Sequence, residues 1–294
     1  MRYLKKILAK VITGTELPQE AENNAKLVQQ VRATPGLIHD HVIKSQCSQG
    51  RSEVHYVSSD NRVMARPTVL FVHGSPGSWE SFAPYFLQPS LSEAFRLISI
   101  DRPGWGLSTF PGKVFPSELA EQARVLGPSI EAIYQQNKQQ KIILVGHSLG
   151  GSLVPVLAAT YPDYVRSVVI LAGDVNPVLA QHRWYNSLLA CVPRIFVAKH
   201  WYHSNLEILD LAKSLANQQE MMAQVQQPIS IMQGTNDRLT DPKNVHFASS
   251  LFQQSALTIQ WVPDKGHMIN LMCVDLVKAA IMRSHESSEA DSVP

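Results

Sequence analysis

The pentapeptide Gly-His-Ser-Leu-Gly at positions 146–150 constrains this chain more than any other segment. It follows the apolar run 142–145, which has the composition of a buried strand, and precedes a helical pattern at 152–161. A serine between a strand and a helix lies on a sharp, strained turn that holds its hydroxyl clear of the sheet. Strand and helix can approach there because the two flanking glycines have no side chain. The segment therefore predicts Ser148 as a nucleophile that needs a base from elsewhere in the chain.

Apolar runs and helical patterns alternate along most of the chain, which predicts the α/β class with a mostly parallel central sheet and helices on both faces. We expect the first two runs to form an antiparallel hairpin. The predicted strands are 37–43, 53–57, 68–72, 96–100, 141–145, 167–171, 229–232 and 257–261. The predicted helices between them are 79–93, 117–137, 152–161 and 243–253.

This pattern divides the chain into four parts. Residues 1–34 are an N-terminal helical extension, and residues 35–176 and 229–283 form the core. Residues 177–228 are too many for a simple connection and are rich in helix formers and aromatics, so we interpret them as a helical cap insertion. Residues 284–294 contain almost no apolar side chains and are expected to be disordered.

Polar residues that follow predicted strands are candidate partners for the serine, since the carboxyl ends of parallel strands share one edge of a sheet. Asp237 follows the strand at 229–232, and His267 follows the strand at 257–261. We assign His267 as the base that takes the proton of Ser148, and Asp237 as the acid that orients the imidazole. Each residue also has a simpler interpretation: Ser148 as a helix cap, Asp237 as a turn residue and His267 as a surface residue. The occurrence of all three in this order favours the catalytic one.

Two other carboxylates rank behind Asp237 as the acid. Asp241 precedes Pro242, a pattern typical of a helix start, and ranks second. Asp174 also follows a predicted strand and ranks third.

Acyl transfer also needs donors for a developing oxyanion. The N–H of Leu149, at the start of the helix after the serine, is one candidate. The turn at 73–77, His-Gly-Ser-Pro-Gly, follows another strand and supplies the second. We choose the N–H of Ser75, because Pro76 has none. His73 is expected to be a buried scaffold residue.

Composition excludes several other classes of protein. A net charge of +2 without a basic cluster in the body of the chain argues against a nucleic-acid partner. There is no apolar run of about 18 residues that would cross a membrane. The three cysteines, Cys47, Cys191 and Cys273, are odd in number and widely spaced. Reduced thiols in a cytoplasmic protein are therefore expected.

Two histidine pairs are candidate metal ligands. His39 and His41 share a face of a predicted strand, and His200 and His203 share a face of a predicted helix. Neither pair has a third ligand, so we predict no metal site, and the proposed chemistry needs no cofactor.

The first 13 residues have apolar side chains at helical spacing with Lys and Arg among them. Lys10 interrupts the apolar stretch that a signal peptide would need. We expect this helix to dock on its own domain. Peripheral contact with the anionic inner surface of a membrane stays open as the alternative.

Five segments together resemble the α/β-hydrolase superfamily, in particular the cap-bearing serine hydrolases of esterase type, over about residues 37 to 283. The resemblance implies Ser148 as nucleophile, Asp237 as acid, His267 as base, and Ser75 and Leu149 as oxyanion donors. A serine at position 148 argues against the similar dehalogenase and epoxide hydrolase branches, which use Asp there. The segments are His73–Gly77, Asp101–Ser108, Gly146–Gly151, Gly234–Asp237 and Gly266–His267.

We therefore expect a carboxylesterase that cleaves small to medium apolar acyl esters through an acyl-enzyme on Ser148. The same residues would also serve an acyltransferase, a cofactor-free perhydrolase or a carbon–carbon bond hydrolase. A non-catalytic binding protein on the same scaffold is a further alternative. The sequence makes no prediction of oligomeric state.

Overall fold

The computed structural model describes residues 17–47, 50–59 and 66–290, and the strands in these ranges form one sheet in the order β1-β2-β4-β3-β5-β6-β7-β8. Strands β1 and β2 form the expected antiparallel hairpin, and β2 also pairs antiparallel with β4, whereas all the other pairs are parallel. The strands are β1 (Ile38–Cys47), β2 (Gly50–Ser59), β3 (Thr68–Val72), β4 (Arg96–Ile100), β5 (Ile142–His147), β6 (Val165–Leu171), β7 (Ile229–Gly234) and β8 (Leu257–Val262).

Helices cover both faces of this sheet, as the sequence predicted. One apolar cluster joins one face of the sheet to α4, α5 and α8, and the other joins the opposite face to α1, α2 and α10. The helices are α1 (Leu17–Ala33), α2 (Ala83–Phe86), α3 (Pro89–Ala94), α4 (Leu119–Gln136), α5 (Leu149–Thr160), α6 (Trp184–Ala190), α7 (Lys199–Met222), α8 (Asn244–Leu251), α9 (Ile269–Met272) and α10 (Val274–Ala290).

The single helix predicted at 79–93 is three short elements in the structure. A 3-10 turn at Trp79–Phe82 is followed by α2 and α3. Pro84 and Pro89 each lie in the first turn of one of these helices. Proline has no N–H to donate and cannot continue a helix, so each proline starts a new element.

The predictions for the two ends of the chain have different outcomes. Helix α1 lies within the predicted extension 1–34, whereas the basic amphipathic segment lies outside the described residues. At the other end α10 continues to Ala290, which corrects the disorder expected from residue 284 onward. The physical reason is that Ser284 is buried, with its Oγ 2.7 Å from the Oγ of Ser167 in β6, so the helix stays anchored on the sheet.

The segment between β6 and β7 contains α6, a 3-10 turn at Arg194–Phe196, and the long helix α7. The second half of α7 buries Leu211, Leu215 and Met222 in the same apolar cluster as α4 and α5. The insertion predicted at 177–228 is thus packed into the core at its C-terminal end. No helix among the described residues is both long and apolar enough for a membrane crossing.

Candidate active site

Ser148 lies on the sharp turn between β5 and α5. Its backbone has φ 54° and ψ −124°, in a region that costs a non-glycine residue about 1–3 kcal/mol. Its N–H donates to the carbonyl of Leu171, 2.9 Å away, which fixes the turn on the sheet. A Cβ on Gly146 would overlap the carbonyl of Gly150, and a Cβ on Gly150 would overlap the carbonyl of Val72. Both glycines are therefore required by close backbone packing around the serine.

The structure brings Ser148, His267 and Asp237 together. Nε2 of His267 lies 2.9 Å from Oγ of Ser148, and Nδ1 of the same ring lies 2.9 Å from Oδ2 of Asp237. An Nδ1–H that donates to the carboxylate leaves Nε2 free to accept the serine proton. Asp237 and His267 are both buried, whereas Ser148 is half-buried. The arrangement can deprotonate a hydroxyl at an edge that solutes can reach.

Asp237 is held as an ionised acceptor. Its Oδ1 accepts from the N–H groups of Leu239 and Thr240 at 2.9 and 3.0 Å, and its Oδ2 also accepts from Nε2 of Gln233 at 3.0 Å. Burial raises the pKa of Asp237, but the neighbouring His267 and these hydrogen bonds outweigh it and lower the pKa below its usual value. The carboxylate is thus suited to stabilise an imidazolium.

The two rival acids occupy other positions. Oδ1 of Asp241 accepts from the N–H of Lys243, 2.9 Å away, in the turn before α8. Oδ2 of Asp174 accepts a hydrogen bond from Oγ1 of Thr240 at 3.5 Å. Its Oδ1 is buried and has no hydrogen-bond partner among the described residues. Burial, together with the nearby Asp237, raises the pKa of Asp174 to about 7, although His267 opposes the shift. Neither carboxylate replaces Asp237 at Nδ1 of the imidazole.

The loop after β3 lies directly against the serine turn. A Cβ added to Gly74 would be 2.9 Å from Cβ of Ser148 and 3.2 Å from the carbonyl oxygen of His147. Gly150, in the first turn of α5, is also packed closely against the carbonyls of Val72 and His73. The loop that carries Ser75 and the start of α5, where Leu149 is the first helical residue, are therefore neighbours. Both predicted oxyanion donors therefore belong to backbone segments that border Ser148.

Two buried histidines near the site are neutral. The Nδ1–H of His73 donates to the carbonyl of Gly74 at 2.7 Å, and the Nε2–H of His147 donates to the carbonyl of His267 at 2.9 Å. Burial, followed by the charge of Arg102, lowers the pKa of His73 to about 3. Burial, followed by His267, lowers the pKa of His147 to about 3. Both side chains hold backbone carbonyls in place.

Sequence reasoning missed Glu207, which lies on α7 far along the chain. Its carboxylate forms a fully buried ion pair with Arg102 and also accepts from Nε1 of Trp105 at 3.1 Å and Nε2 of Gln122 at 2.8 Å. Arg102 in turn donates to the carbonyls of His73 and Gly74, each at 2.9 Å. The only signal in the sequence was an isolated acidic residue in the insertion, which did not reveal its partner.

The histidine pairs considered for metal binding have other contacts. Nε2 of His41 lies 2.8 Å from Oγ of Ser58, and the ring of His203 stacks on Phe115 with centroids 3.9 Å apart. Within the described part of the chain, no three His, Cys, Asp or Glu side chains are placed to share a metal ion.

Comparison with known proteins supports the same fold. A sequence model described as "alpha/beta hydrolase fold" matches residues 67–202. The 2-(acetamidomethylene)succinate hydrolase of Mesorhizobium japonicum is 33% identical over 140 residues, which are 48% of this chain and 45% of that protein. The 1-acylglycerol-3-phosphate O-acyltransferase of Arabidopsis thaliana is 29% identical over 151 residues, covering 51% of this chain and 35% of the relative. The chain thus matches less than half the length of these two curated relatives.

A solved structure agrees over a longer stretch. The thermophilic esterase of Thermogutta terrifontis superposes with a TM-score of 0.62 at 17% identity, covering 85% of this chain and 99% of the esterase. At that identity the likeness shows the fold. With the sheet order and the serine turn, it shows that this chain has the α/β-hydrolase fold, which is also the fold described by the model that matches residues 67–202.

Proposed function

We propose that the chain is a serine hydrolase that cleaves carboxylic esters with small to medium apolar acyl groups through an acyl-enzyme on Ser148. The observation that carries this proposal is the 2.9 Å separation between Nε2 of His267 and Oγ of Ser148. A serine hydroxyl is a weak nucleophile, and a base within hydrogen-bond reach is the arrangement that activates it.

The reaction follows from this geometry. His267 takes the Ser148 proton as Oγ attacks the ester carbonyl carbon, and Asp237 stabilises the imidazolium. The N–H groups of Ser75 and Leu149 donate to the oxyanion of the tetrahedral intermediate. As the C–O bond breaks, His267 returns the proton to the departing alcohol. Water, deprotonated by His267, then attacks the carbonyl carbon of the acyl-enzyme. The bond to Oγ breaks, Ser148 regains its proton, and the carboxylic acid is released.

An apolar acyl group is favoured by the aromatic side chains beside the serine edge. The ring of Trp105 lies edge-on to His73, whose carbonyl and imidazole belong to the loop next to Ser148. Trp105 also meets Phe115 edge-on, and Phe115 stacks on His203 of α7. Such a cluster excludes water and prefers apolar groups.

Acyl transfer to an alcohol is the second candidate function, because one relative is named as an O-acyltransferase. In that reaction an alcohol takes the place of water in the step that cleaves the acyl-enzyme. The same residues would act, and the acyl acceptor would decide the product.

The test is hydrolysis of p-nitrophenyl esters from acetate to dodecanoate by wild type, Ser148→Ala and the matched control Ser152→Ala. Ser152 lies one turn further along α5, and its buried Oγ has no hydrogen-bond partner among the described residues. We expect wild type and Ser152→Ala to be active, with a preference for short or medium chains, and Ser148→Ala to be inactive. Undiminished turnover in folded Ser148→Ala would refute the proposal. Addition of an alcohol acceptor, with ester product measured against free acid, separates transfer from hydrolysis.

A further inference from the structure

An apolar, basic surface projects from the first half of the insertion. We call residues 183–201 the insertion tip; it comprises α6, the 3-10 turn and the start of α7. Large apolar side chains in a folded domain are ordinarily covered, so a concentration of exposed ones marks a contact surface. The exposed ones here are Trp184 (77%), Leu188 (60%), Ile195 (85%), Phe196 (75%) and Trp201 (54%).

The insertion tip carries charge of one sign. Arg183, Arg194 and Lys199 are exposed, and within the described part of the chain none of them pairs with a carboxylate. Arg183 donates to the carbonyl of Arg238, and Arg194 lies over the ring of Tyr202. These contacts leave all three positive charges unneutralised.

Acidic residues are absent from this part of the sequence. The stretch 175–206 contains no Asp or Glu, although 24 acidic residues in a chain of 294 would place about two or three in 32 positions. The first acidic residue after it, Glu207, is fully buried against Arg102 and does not offset the exposed charge. The surface is thus both apolar and uniformly cationic.

We propose that the insertion tip docks on the surface of an anionic lipid bilayer. Exposed Trp and aliphatic side chains enter the interface between headgroups and acyl chains, while Arg and Lys contact anionic headgroups. A second copy of this chain fits less well. A symmetric dimer built on this patch would bring the three cations of each copy together without an acidic partner.

The position of the tip relates docking to the proposed site. Arg183 holds the carbonyl of Arg238, the residue after Asp237, and the helix that leaves the tip carries Glu207, the partner of Arg102. A bilayer contacted by the tip would therefore lie beside the edge that holds Ser148. If the proposed ester hydrolysis is correct, apolar esters that partition into the bilayer interface become the favoured substrate class.

The experiment separates docking from catalysis by using Ser148→Ala full-length chain as the background. Its binding to vesicles of phosphatidylcholine with one quarter phosphatidylglycerol is measured by sedimentation, with pure phosphatidylcholine vesicles for comparison. One added variant, Ile195→Ser with Phe196→Ser, removes apolar contact. Another, Arg194→Glu with Lys199→Glu, reverses charge. The matched controls are Val42→Ser and Lys141→Glu, which change an exposed apolar side chain and an exposed cation elsewhere.

We expect binding to the anionic vesicles that weakens in high salt and falls at least about tenfold in both tip variants, with the controls unchanged. Failure of the parent to bind, or equal binding by the tip variants, would overturn the proposal, and the latter result would assign binding to another segment such as residues 1–13. A dimer in analytical ultracentrifugation that the tip variants dissociate, without vesicle binding, would favour a second copy instead. Hydrolysis of a soluble short-chain ester by the wild-type chain, in which Ser148 is intact, reports on the proposed function independently.

Discussion

The guanidinium of Arg102 and the carboxylate of Glu207 form an ion pair in which both side chains are fully buried. The pair joins α7 of the insertion to the loop after β3, since Arg102 also holds the carbonyls of His73 and Gly74. A charge removed from water is tolerated only if its hydrogen-bonding capacity is satisfied, and Trp105 completes the set by donating to Glu207. The insertion is thereby fixed to the loop that borders Ser148.

Removal of the Glu207 carboxylate should destabilise the fold strongly. Glu207→Ala would leave Arg102 buried without its counter-charge, and we expect a loss of about 3–5 kcal/mol in the free energy of unfolding. The matched control is Glu118→Ala, whose ion pair with Lys213 also joins α7 to the core but is exposed to solvent. That variant should lose less than about 1 kcal/mol. Urea denaturation measures both losses. Equal losses would show that burial does not increase the contribution of the ion pair to the free energy of unfolding.

Asp237 and Asp241 should differ sharply in their effect on turnover. Only Asp237 contacts the imidazole of His267, so Asp237→Asn removes the acceptor that fixes its tautomer, and kcat should fall about 10³- to 10⁴-fold. Asp241→Asn should stay within a few-fold of wild type, because its side chain contacts the backbone N–H of Lys243 instead. Steady-state kinetics on a soluble ester provides the comparison. Similar losses in the two variants would remove the basis for choosing Asp237.

Stability should decline as the pH falls below 6.5. The pKa of His73 and that of His147 are about 3 in the folded protein, below the value of about 6.5 in an unfolded chain. The unfolded state therefore binds more protons between these values, and each histidine contributes a slope of about 1.4 kcal/mol per pH unit. Asp174, whose pKa is raised to about 7 mainly by burial, binds a proton in the folded state over the same range and offsets one of the two slopes. Unfolding free energies measured from pH 6.5 to 4 should therefore decline by about 1.4 kcal/mol per pH unit.

The variant His147→Gln separates the two histidines. A glutamine amide can still donate to the carbonyl of His267 but does not titrate, so the net decline of about 1.4 kcal/mol per pH unit should nearly disappear. A slope that is the same as in wild type would show that His147 is not the source of the acid sensitivity.

Gly74→Ala should impair turnover more than folding. The added Cβ would press on the Cβ of Ser148 and the carbonyl of His147, which displaces the loop that carries Ser75. Misplacement of such a donor by about 1 Å costs about 10²-fold in rate. We expect kcat to fall by that order while the thermal midpoint changes by a few degrees only. An unchanged kcat would mean that the loop does not position a donor.

Sequence reasoning anticipated those parts of the fold that depend on local pattern. The strand pattern of β3 to β7 was visible because buried parallel strands read as apolar runs, and Gly146 revealed the sharp turn because only glycine fits there. The candidate acid and base could be found because both directly follow strands. The structure then placed them within hydrogen-bond reach of each other.

Contacts between distant segments could not be anticipated. Nothing in the sequence around Glu207 indicates Arg102, because the ion pair depends on how α7 packs against the core. The anchor between Ser284 and Ser167 was hidden for the same reason, since a polar tail pattern predicts disorder when its buried partner is unknown. The prediction of one helix at 79–93 was wrong for a local reason, because Pro84 and Pro89 each start a new helix there.

The central claim is that His267 makes Ser148 reactive. Labelling of the native protein by a fluorophosphonate, followed by peptide mass mapping, tests it most directly, because this probe reacts with activated serines and depends on no choice of substrate. We predict one label, on Ser148, at a rate that falls at least about 10³-fold in His267→Ala. A folded native protein that takes up no label, or one in which His267→Ala is labelled on Ser148 as fast as wild type, would contradict the account.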